Sequence, residues 1–196
     1  MATATLSEPK RVFRFSKDQF FRLSDEGYFN GTRVELINGE VVPMAAQSNW
    51  HGWGVEMMRA RLAIALGPDY WVRMQLSLDL SPLSVPDPDI AVISGRIEAM
   101  RERKNPTSAL LIVEVSERTL GDDRVRKASL YAASGIQDYW ILNLVHRQLE
   151  VYRNPIEDPN EEFGWRYSTT TTHDSGESVS MLAVPTVSVN VEELLP

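Results

Sequence analysis

"ALLIVEVSER" (residues 109–118) is the stretch on which the reading of the chain turns. From Leu110 to Val115 every residue is apolar except Glu114. With period 2, Leu110, Ile112 and Glu114 share one face of a strand, and Leu111, Val113 and Val115 share the other. A strand apolar on both faces is normally covered on both sides. A lone carboxylate there loses its hydration at high cost. Glu114 therefore needs a partner.

Candidates for that partner lie on either side. Upstream, "VPDPDIAVIS" (85–94) is a proline-stiffened approach to a strand at Ile90–Ile93, with Asp89 at its start. If the two strands are antiparallel neighbours, the start of one lies beside the end of the other. Opposed residues then have Cβ atoms about 4.5–5.5 Å apart. Two carboxylates that close repel, and burial raises at least one pKa. A divalent cation removes the conflict, and hard oxygen ligands suit Mg²⁺ or Mn²⁺. Downstream, "SERTLGDDRVRKASLY" (116–131) carries a helix expected over Asp122 to Ser134 and stopped at Gly135. On it Asp123, Lys127 and Tyr131 are spaced i, i+4, i+8 and lie along one face. Lys127 can then point back towards Glu114, where a lysine would orient a metal-bound water and offset charge developing on a phosphate.

The rest of the chain supplies a frame for these elements. "FSKDQFFRLSDEG" (15–27) predicts a short helix from Ser16 to Gly27, and residues 1–9 a loose polar tail. "RVELINGEVVPM" (33–44) predicts a hairpin turning at Asn38-Gly39, with Glu35, Ile37, Glu40 and Val42 on one face. An apolar stripe from Trp53 to Leu66 predicts a helix, and "YWVRMQLSLDL" (70–80) a strand. "DYWILNLVHRQLEVYRN" (138–154) predicts two strands meeting near His146-Arg147, and the remainder is β-rich. The expectation is an α/β (α+β) fold with a mixed central sheet flanked by helices, extra N- and C-terminal strands, and a single domain over residues 10–196.

Composition narrows the function classes. The 196 residues suffice for one sizeable core, and a hydrophobic content of 43% with 24% charged residues is ordinary for a soluble protein. No apolar run is long enough to span a bilayer, and MATATLSEPK has no apolar signal core. There is no cysteine, which excludes disulfides and thiolate metal sites and fits a cytoplasmic protein. The net charge of −7 speaks against a protein that coats nucleic acid, but not against an enzyme acting on it, because metal-binding carboxylates add negative charge locally.

Taken in order, "VELINGE", a histidine after the hairpin, "PDPDIAVI", "LIVEVS" and "DRVRKASLYAASGIQDYWILNL" resemble the Uma-two family of nucleases. That family is placed in the PD-(D/E)XK, restriction-endonuclease-like superfamily. The resemblance runs from about Phe13 to near the C-terminus. It implies a metal at one end of the sheet and hydrolysis of a phosphodiester, with Asp89 and Glu114 as metal ligands, Lys127 as the catalytic lysine and Glu35 as a further acidic residue. The residue two after Glu114 is Ser116 where the parent superfamily has lysine; within this family a lysine on the following helix substitutes, and Lys127 stands in that place.

On this reading the chain is a Mg²⁺- or Mn²⁺-dependent endonuclease acting on DNA. Asp89 and Glu114, with the Val115 carbonyl, hold the metal; Arg96, Arg101, Arg103 and Arg124 are candidate phosphate contacts, and His51 a weaker one. Cleavage of both strands by so small a chain would call for two copies of one site, a homodimer, although no sequence feature demands it. The structural alternatives are Asp89 as a turn residue, Glu114 in a salt bridge with Arg73 or Lys127, and Lys127 paired with Asp123 on its own helix. They would fit a non-catalytic module that binds nucleic acid or protein. A third reading, a hydrolase of small phosphate esters, shares the same ligands.

Overall fold

The computed structural model describes residues 12–100 and 104–196. The tail expected at residues 1–9, and the side chains of Arg101 and Arg103, lie outside them.

Helix α1 (Lys17–Asp25) begins where the sequence places it. The Ser16 hydroxyl accepts from the Gln19 N–H, and the Gln19 side chain accepts from the Ser16 N–H, satisfying two free donors at once. The chain then forms the hairpin of β1 (Val34–Ile37) and β2 (Glu40–Pro43). Asn38 and Gly39 both have positive φ, 51° and 76°, as a tight two-residue hairpin turn requires. Ile37 opposes Glu40 and Glu35 opposes Val42, the expected register.

Helix α2 (Asn49–Leu66) starts earlier than its apolar stripe indicates. Ser48 is the cap, its hydroxyl accepting the His51 N–H. His51 therefore sits in the first helical turn and not in a preceding loop. The apolar periodicity begins only where the helix starts to cover the sheet, so it marks the packed part of the helix and misses its first turn.

Six strands form the central sheet in the order β3 (Tyr70–Met74), β4 (Ile90–Ser94), β5 (Leu111–Ser116), β6 (Asp138–Asn143), β7 (Gln148–Glu157) and β8 (Trp165–Asp174). Strands β5 and β6 are parallel, and every other neighbouring pair is antiparallel. A parallel pair needs a crossover, and here it carries a helical segment: α3 (Leu120–Asp122), a π turn (Asp123–Lys127) and α4 (Ala128–Ala133). A second two-stranded ribbon, β9 (Ser178–Ser180) with β10 (Ser188–Asn190), and a 3₁₀ turn (Val191–Leu194) follow.

The alternation read from β5 is realised from Leu111 onward; Leu110, expected on the Ile112 face, precedes the strand and packs against the cluster on the α2 face. Leu111, Val113 and Val115 face α2 together with Trp140 and Leu142 of β6, against Val55, Met58 and Leu62. Ile112 lies on the opposite face with Tyr139 and Ile141, against Ala128, Leu130 and Tyr131 of α4. Glu114 shares that face. Gly54 lets α2 approach the sheet, because a Cβ there would stand 3.0 Å from Val115 Cγ1 and 3.2 Å from Leu142 Cδ2.

Strand β3 ends at Met74 and does not run to Leu80 as expected. Gln75 has φ 51° and breaks the strand, while its N–H still reaches the Asp89 carbonyl at 3.1 Å. A positive φ at a non-glycine residue is uncommon. Its consequence here is that the Gln75 side chain turns onto Asp89.

Candidate active site

Asp89 and Glu114 come together as the strand reading anticipated. Ile90 opposes Val113 in the β4–β5 ladder, so Asp89, one residue earlier, lies across from Glu114, one residue later. The Asp89 N–H points to Glu114 Oε2 at 3.3 Å, and the Val115 N–H donates to Asp89 Oδ2 at 2.9 Å. The N–H and C=O of one strand residue point to the same edge, so the Val115 carbonyl also faces β4. Asp89 Oδ1 lies 3.1 Å from His51 Nε2 and accepts from Gln75 Nε2 at 3.1 Å. Both carboxylates are buried, at 6% and 3% exposure.

The crossover helix brings the cation. Lys127 Nζ donates to Glu114 Oε1 at 3.0 Å and lies 3.6 Å from Glu35 Oε1. The Tyr131 hydroxyl donates to the same Glu114 oxygen at 2.6 Å. In the π turn the Ala128 N–H bonds to the Asp123 carbonyl, five residues back, and the Tyr139 hydroxyl donates to that carbonyl at 2.9 Å. Single π turns are frequent at functional sites, where they re-aim side chains. Here the turn spans the two residues, Asp123 and Lys127, that bury their charged ends against the sheet.

Glu35, His51, Asp89, Glu114, Asp123 and Lys127 line one cavity of about 250 Å³, together with the 42–48 segment and residues 117–119. Glu35, Asp87, Asp89, Glu114, Glu117, Asp122 and Asp123 all contribute to its wall, against the cations Lys127 and Arg118. The surplus of carboxylates governs their protonation. Burial pushes Glu114 up, Lys127 pulls it down, and Asp89 and Asp123 push it up again, leaving it at about 8. Burial also lifts Asp87 and Asp123 above the usual carboxylate range, against the pull of Ser77 on the first and of Lys127 and Thr119 on the second. Burial acts on Asp89 in the same direction but is outweighed by His51, the Val115 N–H and Lys127, and Asp89 falls below its ordinary value. Burial would strip the proton from Lys127, but the facing carboxylates, Glu114 first, hold its pKa well above 10.5.

Oxygen donors from Asp89 and Glu114, side by side under excess negative charge, suit a hard divalent cation. Among the described residues, no group of three or more histidine, aspartate or glutamate side chains is arranged to hold a metal ion. Any such ion would rest on these two carboxylates and backbone oxygen.

The structure separates the arginines named from sequence. Arg96 pairs with Asp69 at 2.9 Å on an exposed surface. Arg124 forms two bonds to Glu150, at 2.9 and 2.6 Å, and does not line the cavity. Among the described basic residues, Lys127 and the exposed Arg118 do line it. Sequence reasoning also passed over Asp87, Asp123 and Tyr131 as parts of the site. Asp123 and Tyr131 stand on the Lys127 face by their i, i+4, i+8 spacing, which is the signal for them; no local pattern singles out Asp87. Arg73 donates to the Ser77 carbonyl and not to Glu114, so the salt-bridge partner of Glu114 is Lys127.

Comparison with known proteins agrees with this fold. The model of the Uma2 family, described as "Putative restriction endonuclease", matches residues 18–192. The chain belongs to the Uma2 family. A crystal structure described as a putative nuclease of DUF820 from Anabaena variabilis superposes with a TM-score of 0.68, covering 92% of this chain and 97% of that one. The identity is 13%, so that likeness speaks to the fold alone. No curated protein matches the chain. In this Uma2 protein the candidate site sits where β4 begins and β5 ends, beneath the crossover helix.

Proposed function

We propose that this Uma2 protein is a divalent-cation-dependent endonuclease that hydrolyses phosphodiester bonds in DNA. The observation that carries the reading is the meeting of Asp89 and Glu114 at a cavity wall, with Lys127 bonded to Glu114. A phosphodiester is an anion and the cavity wall is predominantly anionic, so substrate and site are compatible only with added positive charge. Asp89 and Glu114 would hold Mg²⁺ or Mn²⁺, with the Val115 carbonyl, and the ion would lower the pKa of water and neutralise phosphate charge.

The chain's own residues divide the remaining tasks. Lys127 donates to the attacking water or a non-bridging phosphate oxygen, at the place where charge develops. Tyr131 fixes the Glu114 carboxylate, and His51 and Gln75 fix Asp89, so that neither turns away. Glu35 keeps Lys127 charged and centred. Arg118, exposed where it lines the cavity, would meet a phosphate. Water adds to phosphorus, the P–O bond to the leaving oxygen breaks, and the products are a phosphate monoester and a hydroxyl.

The test is cleavage of supercoiled plasmid by wild type and Asp89→Asn with Mg²⁺ or Mn²⁺ and with chelator. Nicking or linearisation by wild type alone, abolished by chelator, is expected. Equal cleavage by Asp89→Asn contradicts the assignment. One observation favours a second reading: Glu114 already has a buried cationic partner in Lys127, as a purely structural pair would. A binding module built this way would retain DNA in gel-shift assays and never cut it.

A further inference from the structure

Helix α2 has a second apolar face. Its 18 residues include only three of fixed charge, Glu56, Arg59 and Arg61. A helix apolar around most of its circumference is normally covered on all sides. One side of α2 is covered: Val55, Met58, Leu62 and Leu66 pack on the sheet. The other side carries Trp50, Trp53, Met57, Ala60 and Ile64, a 3-4-3-4 spacing that makes one stripe along the helix. Trp50 is 60% exposed, Trp53 47% and Ile64 78%. At 1.5 Å per residue the stripe is about 21 Å long.

We infer that this stripe is the seam of a homodimer in which α2 pairs, parallel and in register, with α2 of a second copy. Charge complementarity selects both the occupant and the direction. In the numbering of a seam with Trp50 and Met57 in equivalent places, Glu56 flanks it on one side and Arg61 on the other. In a parallel in-register pair, such flanking residues five apart meet across the seam, so Glu56 of each copy faces Arg61 of the other, twice by symmetry. An antiparallel pair would set like flanks together. Within one chain Glu56 bonds to Arg59 at 2.6 Å, and Arg61 reaches Glu193 only at 3.4 Å, so Arg61 is the looser partner. Two heptads are too short for a free-standing coiled coil, and the pairing is between folded copies. A parallel pair also sets the two helix starts, each carrying a His51, at the same end of the dimer. If the proposed nuclease reading holds, the two cavities would then address one duplex from one side.

The chain has no cysteine, which makes the test clean. Ile64 lies near one end of the stripe, so Ile64→Cys meets its own copy only in a parallel pair; in an antiparallel pair it lies opposite the Trp50 end. Mass is measured by light scattering for wild type, Ile64→Glu and Ala60→Glu, with circular dichroism to show that all are folded. Air-oxidised Ile64→Cys is run beside Val125→Cys, an exposed control. The inference expects a wild-type mass of two chains at micromolar concentration, one chain for both glutamate variants, and rapid disulfide dimer for Ile64→Cys alone. A monomeric wild type overturns it, whether the stripe is covered by the 1–11 segment or lies open. A dimer that survives Ile64→Glu, or one in which Ile64→Cys does not cross-link, places the interface or its direction elsewhere and overturns it too. None of these measurements requires the protein to cut DNA.

Discussion

Replacing Glu114 with glutamine should stabilise the metal-free protein above neutral pH. Glutamine keeps an acceptor for Lys127 Nζ and the Tyr131 hydroxyl and gives up only the 3.3 Å contact from the Asp89 N–H. In the native wild type Glu114 holds its proton up to about 8, against 4.5 for the free side chain. The native state therefore binds more protons than the unfolded chain between these two values, and stability falls as pH rises through that window. The contribution is fully present below 4.5 and gone above about 8. At 1.36 kcal/mol per pH unit the limit is ~5 kcal/mol, and compaction or water entry would reduce it to a few. Glutamine does not titrate and removes the window. Urea melts from pH 5 to pH 9 measure this directly: the two proteins should be close at pH 5, with the variant progressively the more stable towards pH 9. Parallel curves would refute the idea that surplus carboxylate charge strains the site when no cation balances it.

Further outcomes follow from single contacts. Lys127→Met keeps much of the side chain's packing but removes the ammonium; cleavage should drop by ~10²–10³-fold in single-turnover assays, the usual scale for one electrostatic donor. Gly54→Ala forces a Cβ to 3.0 Å from Val115 Cγ1, costing about 1–3 kcal/mol in chemical melts and displacing His51, one turn earlier, from Asp89. Arg124→Ala should leave DNA cleavage unchanged while costing roughly 1–3 kcal/mol of stability, because Glu150, 3% exposed, loses its cation. A loss of cleavage without a loss of stability would return Arg124 to the substrate.

The hairpin, the two-faced β5 and the carboxylate pair were legible because each rests on local rules: a turn dipeptide, a period of 2, and a register fixed by which faces are buried. The boundaries of β3 and α2 were not. Leu76, Leu78 and Leu80 alternate with polar residues as in a strand, but the positive φ of Gln75 ends β3 and goes with a contact to Asp89, 14 residues on, that no local pattern signals. The first turn of α2 adds nothing to the sheet-facing stripe, and the Ser48 cap is what marks it. Lys127 could be placed on the Glu114 side from its spacing; the π turn that spans Asp123 and Lys127 comes from tertiary contacts such as the Tyr139 hydroxyl. Arg124 and Arg96 each pair with a carboxylate distant in sequence, Glu150 and Asp69, a partnership that only the tertiary fold creates.

The central claim is that Asp89 and Glu114 together hold a divalent cation. It is tested most directly by calorimetric titration of Mn²⁺ into wild type and into an Asp89→Asn, Glu114→Gln double variant shown to be folded by circular dichroism. The account predicts saturable binding by wild type and none by the double variant. Equal binding by both would put the ion elsewhere and contradict it.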